Sequence, residues 1–103
     1  MSQKIATKEY VDTQVKGIRA GVDSMGAFET IIHNNPYKQI YVITDAPIDF
    51  NGCTLPKYTM IFIPCALEGT DMLGFACNST ASHFWAIGHT WTSGGAWSAR
   101  QIF

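Results

Sequence analysis

A chain of 103 residues has room for one domain, and a domain of that size buries only a modest fraction of its surface when it folds alone. The formal net charge of -1 and the sequence pI near 6.2 give no electrostatic reason to expect nucleic acid or an anionic membrane as a partner. Residues 59–103 carry only three charged side chains, Glu68, Asp71 and Arg100. That part of the chain therefore either buries itself against other chains or presents a neutral, aromatic exterior.

The first residues show no targeting signal. Residues 1–7 lack the apolar stretch of a secretory signal, and no apolar run in the chain reaches the length of a membrane span. We therefore expect synthesis in the cytoplasm and no membrane insertion. Residues 1–6 are interpreted as a disordered segment or an anchor to other proteins.

Residues 7–25 have a helical pattern with a recognisable start. Thr7 can cap the helix with its hydroxyl, and Glu9 lies in the first turn, where the helix dipole favours negative charge. The apolar positions that follow are spaced by four, three, four and three residues, which is a heptad seam. They are Val11, Val15, Ile18, Val22 and Met25.

This seam predicts a short coiled coil of three strands. With Val15 and Val22 at position a, the other three residues occupy position d, and β-branched side chains at both positions favour a trimer over a dimer. The alternative is an amphipathic helix lying against its own domain. Gly17 and Gly21 each cost about 1 kcal/mol relative to Ala in a helix, so the C-terminal domain must help to hold the trimer.

After Gly26 the pattern becomes that of β-strands. Apolar, β-branched and aromatic runs cover residues 28–32, 40–44, 59–63, 72–77, 84–87 and 97–103. Turn-forming residues separate them at positions 34–36, 45–47, 51–52, 55–57, 68–69 and 93–95. We predict a mainly β domain over 27–103, an antiparallel sandwich or barrel-like knob. Because residues 60–63 do not alternate, both faces of that strand should be covered, one of them by a neighbouring subunit.

The three cysteines predict neither a metal site nor a disulfide framework. Cys53, Cys65 and Cys77 are odd in number and form no CxxC pair. We interpret them as small buried hydrophobic residues in a reducing cytoplasm, and we expect no cofactor.

Aromatic and imidazole side chains cluster in the last quarter of the chain. Aromatic rings stack on the apolar faces of sugars, and neighbouring polar groups bond the hydroxyls. The candidates for carbohydrate contact are Trp91, Trp85, Trp97, His89 and His83. Trp91 is the first choice because it lies beside the turn at 93–95, whereas most of the others are expected to serve packing. A histidine metal site on a three-fold axis is the less favoured interpretation, since no His-x-His pair is present.

No catalytic arrangement stands out, and we expect no enzymatic activity. No residue lies in a nucleophile elbow, a phosphate-binding loop or a metal-ligand motif. The carboxylates Asp45 and Asp49 flank Pro47 and are interpreted as turn residues rather than as an acid and base pair.

Three segments resemble bacteriophage fibre proteins. ATKEYVDTQV, beginning at Ala6, resembles the coil-forming stretch that introduces fibre modules. IYVITDAPIDFNG, from Ile40, and GGAWSARQIF, from Gly94, are similar to the "tyxvtxAPxxxNG" and "GxWSxW" motifs of the knobs of tail fibres and R-type pyocin fibres. Arg100 stands where that family often has a second tryptophan.

The resemblance implies a homotrimeric virion appendage, a head or tail fibre whose knob points outward and contributes to attachment. Residues 1–6 would then dock to other virion proteins. Two alternatives remain: a purely structural virion protein that binds no host molecule, and, less favoured, a polysaccharide-degrading enzyme.

Overall fold

The structure is a computed structural model that describes residues 18–66, 71–90 and 96–103, with side chains from Ala20 onward. In chain order the elements are β1 (Ile18–Val22), α1 (Met25–Asn34), β2 (Ile40–Thr44), β3 (Ile48–Phe50), β4 (Cys53–Leu55), β5 (Thr59–Ile63), β6 (Met72–Asn78), β7 (Phe84–Thr90) and β8 (Ala96–Gln101). The prediction of a mainly β domain is confirmed. The predicted runs 40–44 and 59–63 coincide with β2 and β5.

Six of the strands form one open sheet in the order β1-β2-β5-β6-β7-β8. β1 runs parallel to β2, and every other neighbouring pair is antiparallel. β3 and β4 form a separate two-stranded sheet whose turn contains Asn51 and Gly52, both with positive φ. Among the described residues β1 and β8 are the edge strands of an open sheet, so this part of the chain is neither the closed barrel nor the sandwich of two comparable sheets that the sequence predicted.

The predicted coiled coil does not extend through Ile18. Residues 18–22, expected to be helical, form β1 and pair with β2 in the register Ile18↔Ile40 to Val22↔Thr44. Val22 is buried in the core, and Met25 begins the separate helix α1. Branched Val22 and the glycine at 21 have weak helix propensity, and pairing with β2 buries the valine without a second subunit. Val11, Val15 and the rest of segment 7–17 lie outside the described residues, as does the proposed anchor 1–6.

The run at 28–32 is helical rather than extended, which corrects the strand predicted there. Ser24 is the N-cap of α1, and its Oγ accepts a hydrogen bond from the Ala27 N–H at 3.1 Å. Phe28 and Ile32, one helical turn apart, are the buried residues of α1. A short run with apolar residues at i, i+3 and i+4 satisfies both a buried strand and a helix, and the cap at Ser24 is the signal that separates them.

The core lies on one face of the sheet, beneath α1 and the β3–β4 hairpin. Phe28 of α1, Phe50 of β3 and Trp97 of β8 form an aromatic cluster with ring centroids 4.9 to 6.3 Å apart. Full burial of each such side chain contributes about 1.5–3 kcal/mol. The remaining buried apolar residues are Val22, Ile32, Ile40, Val42, Ile48, Leu55, Ile61, Ile63, Ala66, Met72, Ala76, Trp85 and Ile87. We call this side of the sheet the covered face.

Candidate functional site

Three of the five sequence-predicted sugar contacts are buried. Trp85, Trp97 and His89 have between 3% and 6% of their surface exposed, and all three belong to the covered face. His89 lies 4.7 Å from the Trp97 ring, between centroids. These three residues are part of the core, so their burial disfavours contact with a ligand at the surface in this fold. Period-two alternation along β7 predicts which residues share a face, but it does not show which face α1 covers.

The other two candidates have different outcomes. His83 is exposed beside the start of β7, with its Nδ1 3.2 Å from Gln101 Nε2 and its ring 6.1 Å from that of Trp85. It has no exposed indole beside it in the described part of the chain. Trp91, the first choice, lies outside the described residues, so its role stays a prediction.

Cysteines and histidines do not assemble into a metal centre in the described residues. Across segments 18–66, 71–90 and 96–103, no group of three or more His, Cys, Asp and Glu side chains is placed to hold a metal ion. Cys53 and Cys77 are partly buried free thiols, and Cys65 is exposed, which corrects the expectation that all three are buried. In the same segments, no helix is long and apolar enough to span a membrane.

The face of the sheet opposite α1 is apolar, and none of the described segments 18–66, 71–90 and 96–103 forms a layer over it. We call it the open face and define it by the outward side chains of β2, β5, β6 and β7. These are Tyr41, Ile43, Met60, Phe62, Leu73, Phe75, Cys77 and Phe84. Leu73 and Phe75 expose 77% and 42% of their surface. Contiguous apolar patches of this kind mark contact surfaces in soluble proteins.

Aromatic rings cross the open face in an almost continuous row. Phe62 and Phe75 have centroids 5.3 Å apart, and Phe75 stacks on Phe84 at 5.7 Å with an interplanar angle of 18°. Phe84 in turn stacks on Phe103 at 6.0 Å. The final residues are held beside β7, because the Phe84 N–H donates to the Phe103 carbonyl at 3.0 Å and the Ile102 N–H donates to the Phe84 carbonyl at 2.7 Å. The row is therefore built on backbone pairing as well as on ring contact.

The open face is almost without charge. Among the described side chains of β2 and β5 to β8 on this face, Arg100 is the only charged one, and it lies at the margin on β8, opposite Ala86. Tyr41 is partly buried, and its hydroxyl donates a hydrogen bond to Met60 Sδ at 2.9 Å. The face therefore offers a partner apolar contact with few polar groups to satisfy.

A cleft of about 550 Å³ opens beside this face, next to the edge strand β1. Its lining residues are Ala20, Gly21, Ile43, Asp45 and Tyr58. Tyr58 was not singled out from the sequence, and Asp45 was interpreted only as a turn residue. The sequence did not indicate this cleft, because β1, β2 and the loop before β5 meet here only after the sheet has formed.

Comparison with known proteins adds no relative: no family model, curated protein or solved structure matches this chain. The features of the molecule that bear on its function are therefore the open face, the cleft and the sequence motifs.

Proposed function

We propose that this chain is the subunit of a homotrimeric fibre or surface decoration of a bacteriophage particle. In this proposal, copies pack through the open face, and the assembled domain attaches the particle to a surface ligand. The uncharged aromatic row across the open face supports self-association. The three segments that resemble phage fibres support an assembly of three subunits and a location on the virion. They also support the attachment of residues 1–6 to other virion proteins. The proposed role includes no catalytic step.

The chemistry of the open face favours a second copy as its occupant. A partner bearing many charges would have to bury them against phenylalanine and leucine without counter-ions, which costs several kcal/mol per ion. A flat, uncharged, apolar partner avoids that cost. The surfaces of this molecule that meet the description are the open faces of other copies, and three of them can meet around a three-fold axis.

The size of the open face sets the expected strength of association. Four strands about 4.8 Å apart and about 20 Å long cover roughly 400 Å². Stable interfaces use about 800 Å² from each partner. The open face alone therefore supports reversible, concentration-dependent assembly, and tighter assembly requires contacts from elsewhere in the chain.

A purely structural virion role is the second candidate, and one observation favours it. Trp85, Trp97 and His89 are buried, which removes most of the sugar site predicted from the sequence. On this second proposal the chain assembles in the same way and docks to other virion proteins without binding a host molecule.

Sedimentation velocity over a range of concentrations tests the assembly. Leu73→Asp introduces charge into the open face near the start of β6, at a side chain that a single copy leaves largely exposed. We expect the wild-type chain to approach three times the monomer mass and Leu73→Asp to remain a monomer. Thr54→Asp is the matched control, because Thr54 is also an exposed strand residue but lies on β4.

The control should assemble like the wild type, and circular dichroism should show that both variants are folded. A wild-type chain that stays a single copy at every concentration would contradict the proposal. Full assembly of folded Leu73→Asp would instead exclude the open face as the interface.

A further inference from the structure

The cleft beside β1 is built on a rigid frame. The Asp45 N–H donates to the Val22 carbonyl at 2.6 Å, and the Tyr58 N–H donates to the Thr44 carbonyl at 2.7 Å. The buried hydroxyl of Thr44 donates to the Pro56 carbonyl at 2.8 Å and accepts from the Thr59 N–H at 2.8 Å. Both walls of the cleft are therefore fixed to strand ends by backbone and buried hydrogen bonds.

Tyr58 occupies a backbone conformation that its side chain disfavours. Its φ is 66°, in the left-handed region where bulky residues are uncommon and cost of the order of 1 kcal/mol or more. The side chain is 60% exposed, so core packing does not account for a tyrosine here. Glycine or asparagine would fit the same turn with less strain. What distinguishes Tyr58 is its position at the rim of the cleft, where its exposed ring can contact a bound molecule.

Gly21 leaves room for the carboxylate on the other wall. A Cβ at position 21 would lie 2.5 Å from Asp45 Oδ2, so any larger residue would displace the carboxylate. Glycine weakens an edge strand such as β1, because it has no side chain to pack. Its presence lets Asp45 lean over the strand and face the cleft.

The lining residues select a class of ligand. An exposed tyrosine ring can stack on the C–H face of a sugar, the Asp45 carboxylate can accept hydrogen bonds from hydroxyls, and Ala20 and Ile43 supply apolar surface. Asp45 is the only charged residue among the described side chains that line the cleft, and its carboxylate disfavours phosphate or carboxylate ligands. Lys57 Nζ lies 4.8 Å from the Tyr58 ring centroid, and this ammonium beside the rim disfavours cationic ligands.

We propose that the cleft lined by Tyr58 and Asp45 binds a neutral saccharide, an inference that rests on the attachment role proposed above and gives that role a ligand class and a location. An open cleft of this size contacts one or two sugar rings, so each site binds weakly. Three sites on one assembly would raise the overall avidity.

Saturation-transfer and amide chemical-shift NMR of the full chain test the site, with a panel of neutral hexoses and N-acetylhexosamines as probes. We expect at least one neutral sugar to shift the amides of Gly21, Asp45 and Tyr58. Tyr58→Asn should weaken binding about tenfold while leaving the thermal midpoint unchanged or raised, because the ring contact and the strain are lost together. Gly21→Ala should abolish the shifts by displacing the carboxylate.

Tyr37→Asn is the matched control. Tyr37 is 75% exposed and has a φ of 65°, yet it is not among the residues that line the cleft. Its replacement should relieve similar strain and leave sugar binding intact. Absence of binding by every neutral sugar, full binding by Tyr58→Asn, or binding only of sialic acid or glucosamine would overturn the inference.

Sedimentation of the same samples separates the two proposals. Sugar binding by a chain that remains a single copy would support the cleft and contradict the fibre assembly. A trimer that binds no neutral sugar would overturn the cleft assignment alone and favour the structural virion role.

Discussion

Both faces of the six-stranded sheet carry apolar side chains, but the two faces have different surroundings. The covered face packs Ile61, Trp85 and Ile87 under α1 and the β3–β4 hairpin, and these side chains are almost fully buried. On β5, β6 and β7, Phe62, Phe75 and Phe84 form a row with no layer above it among the described residues. The described segments thus cover one side of a sheet that is apolar on both sides. The open face therefore has the composition of an interface.

The largest expected effect comes from removing the ring that joins the helix to the covered face. Phe28→Ala should lower the free energy of unfolding by about 3–5 kcal/mol, because Phe28 is fully buried and packs against Phe50 and Trp97. Phe75→Ala, on the open face, should cost the single copy much less. Urea unfolding at a concentration where the chain is monomeric measures both. Equal losses would contradict the distinction between the faces.

Substitution of one glycine on each face should change stability by an intermediate amount and distinguish the two faces. A Cβ at Gly74 would clash with Ile63 Cδ1 and lie 2.5 Å from the Phe62 carbonyl oxygen, so Gly74→Ala should destabilise by about 1–3 kcal/mol. Gly88 belongs to the open-face set of β7, and its added Cβ would lie 3.7 Å from Ser98 Oγ, an ordinary contact. Gly88→Ala should be neutral or slightly stabilising, by up to about 1 kcal/mol. Thermal unfolding of both variants distinguishes the faces, and a larger loss at Gly88 would contradict the structure.

The smallest expected effect on stability comes from the N-cap of α1, the helix that packs on the covered face. Ser24→Ala removes the hydroxyl that accepts the Ala27 N–H and should lower stability by about 1 kcal/mol. Ser24→Asp, which keeps an acceptor at the N-cap, should restore most of that loss. A stability unchanged by Ser24→Ala would show that burial of Phe28 and Ile32 holds α1 without its cap.

Several strands could be predicted from residues alone because their signals are local. Residues 40–44 and 59–63 are apolar and β-branched between turn residues, and they form β2 and β5 with those bounds. The uniformly apolar run at 60–63 correctly indicated apolar surroundings on the covered side, where Ile61 and Ile63 are fully buried. The cover expected on the other side stays a prediction. Three-residue strands such as β3 and β4 lack enough alternation to be predicted individually.

The heptad prediction was wrong for Ile18–Val22, because the spacing of these apolar residues also fits a strand. Val22 satisfies a coiled-coil position, but it also fits the covered face once β1 lies parallel to β2. β1 and β2 can be parallel because the chain crosses over between them through α1. No local pattern in residues 18–22 indicates this crossover. The same long-range assembly decides the cleft, since Gly21, Asp45 and Tyr58 come from three separate segments.

The sequence by itself determined the β character of the chain, the positions of its main turns, the scarcity of charge after residue 59 and the alternation of side chains along each strand. These properties depend on backbone preference and on period, which neighbouring residues encode. Only the tertiary structure decided which side of the alternation became core, because that choice depends on where α1 and the β3–β4 hairpin pack. The choice places Trp85 and Trp97 inside and leaves the phenylalanine row and the Tyr58 cleft available for contact.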